Sequence, residues 1–173
     1  MEGEFAAIRA LLSLTVPRWR GIVETVPHDA LELPAAAGEW SVLGCLRHMA
    51  EAERAWARRL EEFRDGRVNP RAPDHIELTM TPDELLAALA EGREANLTVL
   101  DGLAADGATP TSQHPEWGGV TLGHFLNGWT AHDLQHTVQA EEALMQPLIR
   151  RSGVWRQVFA DHDLEARAGH DSS

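Results

Sequence analysis

Residues 40–63, WSVLGCLRHMAEAERAWARRLEEF, repeat apolar side chains at steps of three and four. That period places them on one face of an α-helix and predicts an amphipathic helix over the stretch. Residues 82–103 and 121–145 show the same period, and Pro147 is expected to end the last helix. The apolar positions of the three stretches are Leu46, Met49, Trp56, Leu60 and Phe63, then Leu85, Leu86, Leu89, Leu97, Leu100 and Leu103, then Leu122, Phe125, Leu126, Trp129, Leu134, Val138 and Leu144.

A capping box marks the start of the helix at 82–103. Thr81 is a good N-cap, Pro82 suits the first helical position, and Glu84 stands three residues after the cap. In this arrangement the threonine and glutamate side chains satisfy each other's backbone N–H groups.

The N-terminal part is predicted as two helices. Residues 4–14 form a short leading helix, and a second covers about 16–26 because Pro17 fits the first turn of a helix capped by Thr15. Strand patterns are weak along the whole chain. Proline, glycine and aspartate predict loops at 27–39, 64–80 and 104–119.

Four long helices predict an all-α protein, an antiparallel four-helix bundle. The loop at 64–80 is long for a helical hairpin and indicates one crossover connection. We expect a single domain over 1–173, with a core from about 10 to 150 and a frayed tail at 160–173. The structure of residues 150–173 is left open.

The composition excludes several classes of protein. Fifteen basic and 27 acidic residues give a net charge of −12, so we expect no nucleic-acid or anionic membrane partner. There is no bilayer-spanning run and no signal-peptide pattern, so we expect a cytoplasmic protein. All basic residues are arginine and tyrosine is absent, which excludes lysine and tyrosine catalysis. The single Cys45 excludes an internal disulfide.

His132 and His136 are the most informative polar pair. Four residues apart on a predicted helix, they leave the same face one turn apart and can grip one metal ion. Gln139 follows on nearly the same face. On its own, however, such a pair is more often a surface or capping pair than a ligand pair.

His48 is a candidate third ligand. It stands among small residues of its helix, where a packed core position would carry a large apolar side chain. Three neutral imidazoles with an open position would form a Lewis-acid site. Glu51 and Gln139 are candidates for orienting the ligating histidines without touching the metal themselves. Cys45 is either a small core residue or a soft contact beside the metal.

The motifs together resemble the DinB-like superfamily of small four-helix metalloproteins. The resemblance covers roughly residues 10–150, and it depends on the order and spacing of several short elements. These are Thr15-Val16-Pro17, Glu39-Trp40-Ser41, Leu46-Arg47-His48, Glu51-Ala52-Glu53, Arg93, His114-Pro115-Glu116-Trp117-Gly118 with Thr121-Leu122, and His132-Asp133-Leu134-Gln135-His136 with Gln139.

The resemblance implies a bundle with a crossover and a divalent metal, zinc, nickel or iron, held by His48, His132 and His136. It also implies a homodimer that acts on a small-molecule substrate. Family members with an assigned activity include enzymes that use a low-molecular-weight thiol such as bacillithiol or mycothiol. Arg47 and Arg93 are then candidates for binding a cofactor carboxylate.

Three functions remain open from the sequence. The first is a thiol S-transferase acting on small electrophiles, in which the metal holds the thiol as thiolate. The second is a non-catalytic, stress-related metal-binding bundle. The third is metal-dependent hydrolysis, although no general-base carboxylate of the HExxH kind accompanies the histidine pair.

Overall fold

Four long helices dominate the computed structural model, which describes residues 2–66, 80–105, 111–114 and 118–170. In chain order the elements are α1 (Glu2–Thr25), α2 (His28–Leu31), α3 (Val42–Asp65), α4 (Pro82–Ala105), β1 (Thr111–His114), β2 (Gly118–Thr121), α5 (Leu122–Arg151), a 3₁₀ helix (Gly153–His162) and α6 (Leu164–His170). The three helices predicted from periodicity are confirmed. Those starting near 40 and 121 begin one or two residues later than expected, and all three end two to six residues later.

The helix starts are set by side-chain caps. The predicted capping box is confirmed, since the Thr81 N–H donates to the Glu84 carboxylate at 2.8 Å and the Glu84 N–H donates to the Thr81 hydroxyl at 3.3 Å. Ser41 caps α3 and Thr121 caps α5 by accepting the N–H groups of Gly44 and His124, without a returning carboxylate. Gly66, with φ of 64°, adopts the left-handed conformation that ends α3.

Two proline predictions were wrong. Residues 2–25 form one helix with Pro17 inside it, and α5 continues through Pro147 to Arg151. An internal proline removes one hydrogen bond and costs about 3 kcal/mol. Packing on both sides offsets that loss in α1, because Leu12 and Trp19 are both fully buried and stand on one face across Pro17.

The loops at 27–39 and 104–119 also differ from the prediction. The first contains α2. In the second, β1 pairs antiparallel with β2, with Thr111 opposite Thr121. Four-residue strands reading TSQH and GGVT lack the apolar alternation by which a strand is detected. The hydroxyl of Ser112 donates to Glu62 at 3.3 Å, which ties the hairpin to α3.

The bundle is a ring in the order α1, α4, α3, α5. One apolar cluster joins the C-terminal half of α1, the start of α3, the start of α4 and the later part of α5; a second joins the opposite ends. Helices α1 and α5 therefore run one way and α3 and α4 the other. The connection between the neighbouring, parallel α3 and α4 joins opposite ends of the bundle, so the predicted crossover is confirmed. Residues 67–79 of that connection lie outside the described part of the chain.

The segment after α5 folds back onto it. The side chain of Gln146 donates to the His162 carbonyl at 2.8 Å and accepts from the Leu164 N–H at 3.2 Å. The carboxylate of Asp163 binds Arg156, which closes this segment on itself. Among the helices the structure describes, none has the length and apolar character to cross a bilayer.

Candidate metal centre

Two neighbouring helices position the three histidines. His48 lies in the first half of α3, while His132 and His136 lie one turn apart on α5. Helices α3 and α5 pack side by side in opposite directions, and this packing places His48 opposite the α5 pair. Tertiary packing thus adds the third imidazole to the pair that helical spacing had already aligned.

The three imidazoles converge on one point. One ring nitrogen from each of His48, His132 and His136 lies within 4.8 Å of the others, and the Nε2 atoms of His48 and His132 are 3.0 Å apart. His136 is buried, whereas the other two are half-buried. The structure therefore brings together all three histidines that the sequence had selected.

This donor set fits a divalent transition metal. Metal–imidazole bonds of about 2.0–2.1 Å separate tetrahedral ligand nitrogens by about 3.3 Å, which falls within the span observed here. Imidazole suits zinc, nickel and iron, and three ligands leave a coordination position open. Burial lowers the pKa of His136, as does the proximity of His132, although Gln139 and Asp133 raise it in part. Its neutral form, which binds metals, is therefore favoured.

Two indole rings flank the imidazoles. The ring centroid of Trp40 lies 5.2 Å from that of His48 and 5.6 Å from that of His136. Trp56 lies edge-on to His132 with 5.2 Å between centroids. Trp40 is 41% exposed, so the centre has an apolar flank that reaches the surface. The sequence predicts a packing role for Trp56, but it does not indicate that either tryptophan contacts the histidines.

A buried polar layer crosses the bundle between the two apolar clusters. The guanidinium of Arg93 donates to Glu53 at 2.5 and 3.0 Å and to the Leu12 carbonyl at 2.6 Å, and lies 2.7 Å from Asp133. Asn96 also donates to Glu53 at 2.8 Å. Burial raises the pKa of Glu53, an effect that Arg93 and Asn96 partly oppose. All four bundle helices contribute to this layer.

Arg93 is therefore not available as a cofactor anchor. It is 2% exposed and its N–H groups donate to groups of the protein itself. Arg93 therefore stabilises the interior of the bundle and does not bind a cofactor carboxylate. Arg47 is half-buried next to His48, and Glu51 is half-buried one turn later; their roles remain predictions. Gln139 lies near His136, as its effect on the pKa shows. Cys45 is fully buried in an apolar cluster, in agreement with the core interpretation.

Asp133 is the residue that sequence reasoning missed. Its carboxylate is 3% exposed and directly follows His132 in the chain. The signal was present, since Leu126, Trp129, Asp133 and Ala140 fall on one helical stripe where a charge is out of place. A charged residue on an apolar stripe calls for a buried partner, and Arg93 on α4 shows the same anomaly.

These features define a class: helical bundles that gather three histidines from two helices into a candidate metal centre. The chain belongs to the DinB superfamily, whose family model matches residues 8–140. No curated protein matches the sequence significantly.

Among solved structures, the chain is similar to YfiT from Bacillus subtilis. That protein is described as a probable metal-dependent hydrolase with an unusual four-helix bundle topology. The two share 18% sequence identity with a TM-score of 0.72, over 86% of this chain and 89% of YfiT. At this identity the comparison establishes the fold.

Proposed function

We propose that this protein is a divalent-metal-dependent enzyme that transfers a low-molecular-weight thiol to small electrophiles. The observation that carries the proposal is the convergence of three imidazole nitrogens within 4.8 Å on a half-buried surface of the bundle. A divalent ion with an open position would supply Lewis acidity there and would lower the pKa of a coordinated thiol or water.

A thiol nucleophile would have to come from outside the chain. Cys45 is fully buried, and burial raises its pKa to about 12, so it does not serve as a nucleophile near neutral pH. An incoming thiol would form the new sulfur–carbon bond, while the leaving group departs with its electron pair and the thiol proton passes to solvent. His48, His132 and His136 would hold the ion, and the exposed edge of Trp40 would offer apolar contact to the electrophile.

Hydrolysis is the second candidate, favoured by the structural similarity to YfiT. A bound water would attack an ester or amide, and a base at the open side of the centre would assist its ionisation. The carboxylate that follows His132, Asp133, is buried and bound to Arg93 and Thr15. It is not placed to take a proton from a solvent-side water, so ionisation of that water would depend on the metal alone. A thiol, whose pKa of about 8.5 lies far below that of water, would need less help.

The test compares the two reactions on one preparation. Zinc- or nickel-loaded protein is incubated with 1-chloro-2,4-dinitrobenzene and a panel of thiols that includes mycothiol and bacillithiol. It is separately incubated with p-nitrophenyl acetate without thiol. Metal-dependent consumption of one thiol, lost in His136→Ala and kept in His124→Ala, supports S-transfer.

Other outcomes distinguish the remaining functions. Metal-dependent ester cleavage without thiol assigns the protein to the hydrolases. Stoichiometric metal binding without turnover of any substrate overturns both enzymatic proposals and identifies a metal-binding module.

A further inference from the structure

We infer that Asp133 is a positioning residue of the metal centre: its carboxylate accepts the Nδ1–H of His132 and anchors that imidazole to the buried polar layer. The inference rests on the proposed function in one respect, that the three histidines hold a divalent ion. It concerns a residue that does not itself touch the ion.

The two oxygens of Asp133 have different surroundings. Oδ2 accepts the hydroxyl of Thr15 at 2.8 Å and lies 2.7 Å from a guanidinium nitrogen of Arg93. Oδ1 is buried, has no hydrogen-bond partner, and lies 3.8 Å from Nδ1 of His132. One oxygen is therefore fixed to α1 and α4, while the other is left directed toward a metal-ligand candidate.

Nδ1 of His132 is unsatisfied in the same way as Oδ1 of Asp133. It is buried and has no hydrogen-bond partner, while Nε2 of the same ring faces His48. A proton on Nδ1 faces a carboxylate oxygen and leaves the Nε2 lone pair free for a metal. The opposite tautomer would set the Nδ1 lone pair against a buried carboxylate oxygen, which is unfavourable.

His136 repeats the arrangement with a neutral acceptor. Its Nδ1 is buried without a partner, and so is the side-chain oxygen of Gln139 on the next turn. Each α5 imidazole thus has an unsatisfied Nδ1 and an unsatisfied oxygen acceptor nearby on the same helix. The repetition indicates that the outer edges of both rings are arranged for Nδ1–H donation, which presents both Nε2 atoms to the centre.

Asp133 cannot easily turn away from this role. Arg93, which holds its other oxygen, is itself fixed by the Leu12 carbonyl and by Glu53. The carboxylate is therefore anchored by α1, α3 and α4, although it belongs to α5. Closing the gap to His132 needs a shift of about 1 Å to reach an ordinary hydrogen-bond distance. Losing such an outer acceptor typically weakens metal affinity about 10–100-fold.

The matched variants are Asp133→Asn and Thr15→Val. An amide has one oxygen, so in Asp133→Asn an NH₂ group faces either His132 or the Arg93–Thr15 side. Thr15→Val removes the hydroxyl donor to the same carboxylate but leaves Oδ1 intact. Cobalt(II) is titrated into each metal-free protein and followed by its visible absorption, and zinc affinity is measured by competition. Long-range ¹H–¹⁵N correlation spectra report the tautomer of each histidine without any metal.

We expect an Nδ1–H tautomer at His132 in the wild type, and cobalt affinity about 10–100-fold weaker in Asp133→Asn. Thr15→Val should lose less cobalt affinity than Asp133→Asn, because Oδ1 remains available to His132 and Arg93 still lies against Oδ2. An Nε2–H tautomer at His132 in the wild type overturns the inference even where Asp133→Asn does not fold. Equal loss of affinity in both variants also overturns it, because the effect is then one of general packing. A wild type that binds neither cobalt nor zinc instead refutes the proposed metal dependence.

Discussion

The Nε2 atoms of His48 and His132 lie 3.0 Å apart, although the two residues are separated by 84 positions in the chain. Two imidazole nitrogens at this distance cannot both present lone pairs to each other, so they share a proton or bind a common cation. In the metal-free protein a proton on one nitrogen satisfies the contact. A divalent ion that replaces this proton would use the same two nitrogens together with His136.

Metal content is the first prediction. Protein purified without an affinity tag should contain about one divalent ion per chain, and His136→Ala should contain almost none, because two imidazoles hold such an ion much less well than three. His124→Ala is the control, since His124 is exposed near the start of the same helix. Elemental analysis measures all three proteins, and equal metal content in wild type and His136→Ala would refute the three-histidine site.

Arg93→Met should destabilise the fold strongly. Removing the guanidinium leaves Glu53 and Asp133 buried without their cation, and breaking a buried ion pair from one side costs about 3–5 kcal/mol. Arg18→Met is the control because its partner Glu141 and Arg18 itself are exposed, and such pairs contribute at most about 1 kcal/mol. Urea denaturation gives the free energy of unfolding. If Arg93→Met lowers the free energy of unfolding by less than Arg18→Met does, the buried layer does not stabilise the bundle.

Gly92→Ala should be destabilising although alanine favours helices. A Cβ at Gly92 would lie 2.8 Å from the Cβ of Glu53, so α3 and α4 would have to separate, at about 1–3 kcal/mol. Gly102→Ala on the same helix meets nothing within 4 Å and should stabilise by about 0.5–1 kcal/mol. The midpoint temperatures of thermal unfolding of the two variants should therefore shift in opposite directions from that of the wild type. A shift in the same direction contradicts the close contact between α3 and α4.

Alkaline pH should destabilise the protein through Cys45 alone. With no lysine or tyrosine in the chain, its thiol is the one side chain whose protonation differs between the folded and unfolded states at about pH 9 to 11. Burial raises its pKa to about 12, while an unfolded thiol ionises near about pH 8.5. The unfolded state then binds fewer protons than the native state, so stability falls as pH rises, by up to about 1.4 kcal/mol per pH unit.

Cys45→Ala isolates this effect. The variant should be less stable than the wild type near neutral pH because it leaves a cavity, yet its free energy of unfolding should not change between pH 9.5 and 10.5. Guanidinium denaturation at several pH values measures both slopes. Parallel slopes for the two proteins would show that the thiol is not the titrating group.

Periodicity was sufficient for the helices whose buried faces are continuous. α3 and α4 were predicted within a few residues, because their apolar stripes and the Thr81 cap act over one or two turns. It failed at Pro17 and Pro147, where a local rule favours a break. There, the buried side chains that follow each proline, Trp19 and Ile149, keep the chain helical. The short hairpin was missed because its strands depend on pairing with each other and on Ser112 reaching Glu62.

The sequence by itself determined the helices, the acidic surface, and the alignment of His132 with His136, because these depend on residue type and on a spacing of three or four. The order and spacing of its motifs also indicated the superfamily and, through it, His48 as the third ligand. Only the tertiary structure decided that α3 lies beside α5, and so that His48 meets the pair. It also decided that Arg93 faces inward and that Asp133 lies behind His132. These contacts join residues far apart in the chain, and local periodicity carries no information about which helix faces which.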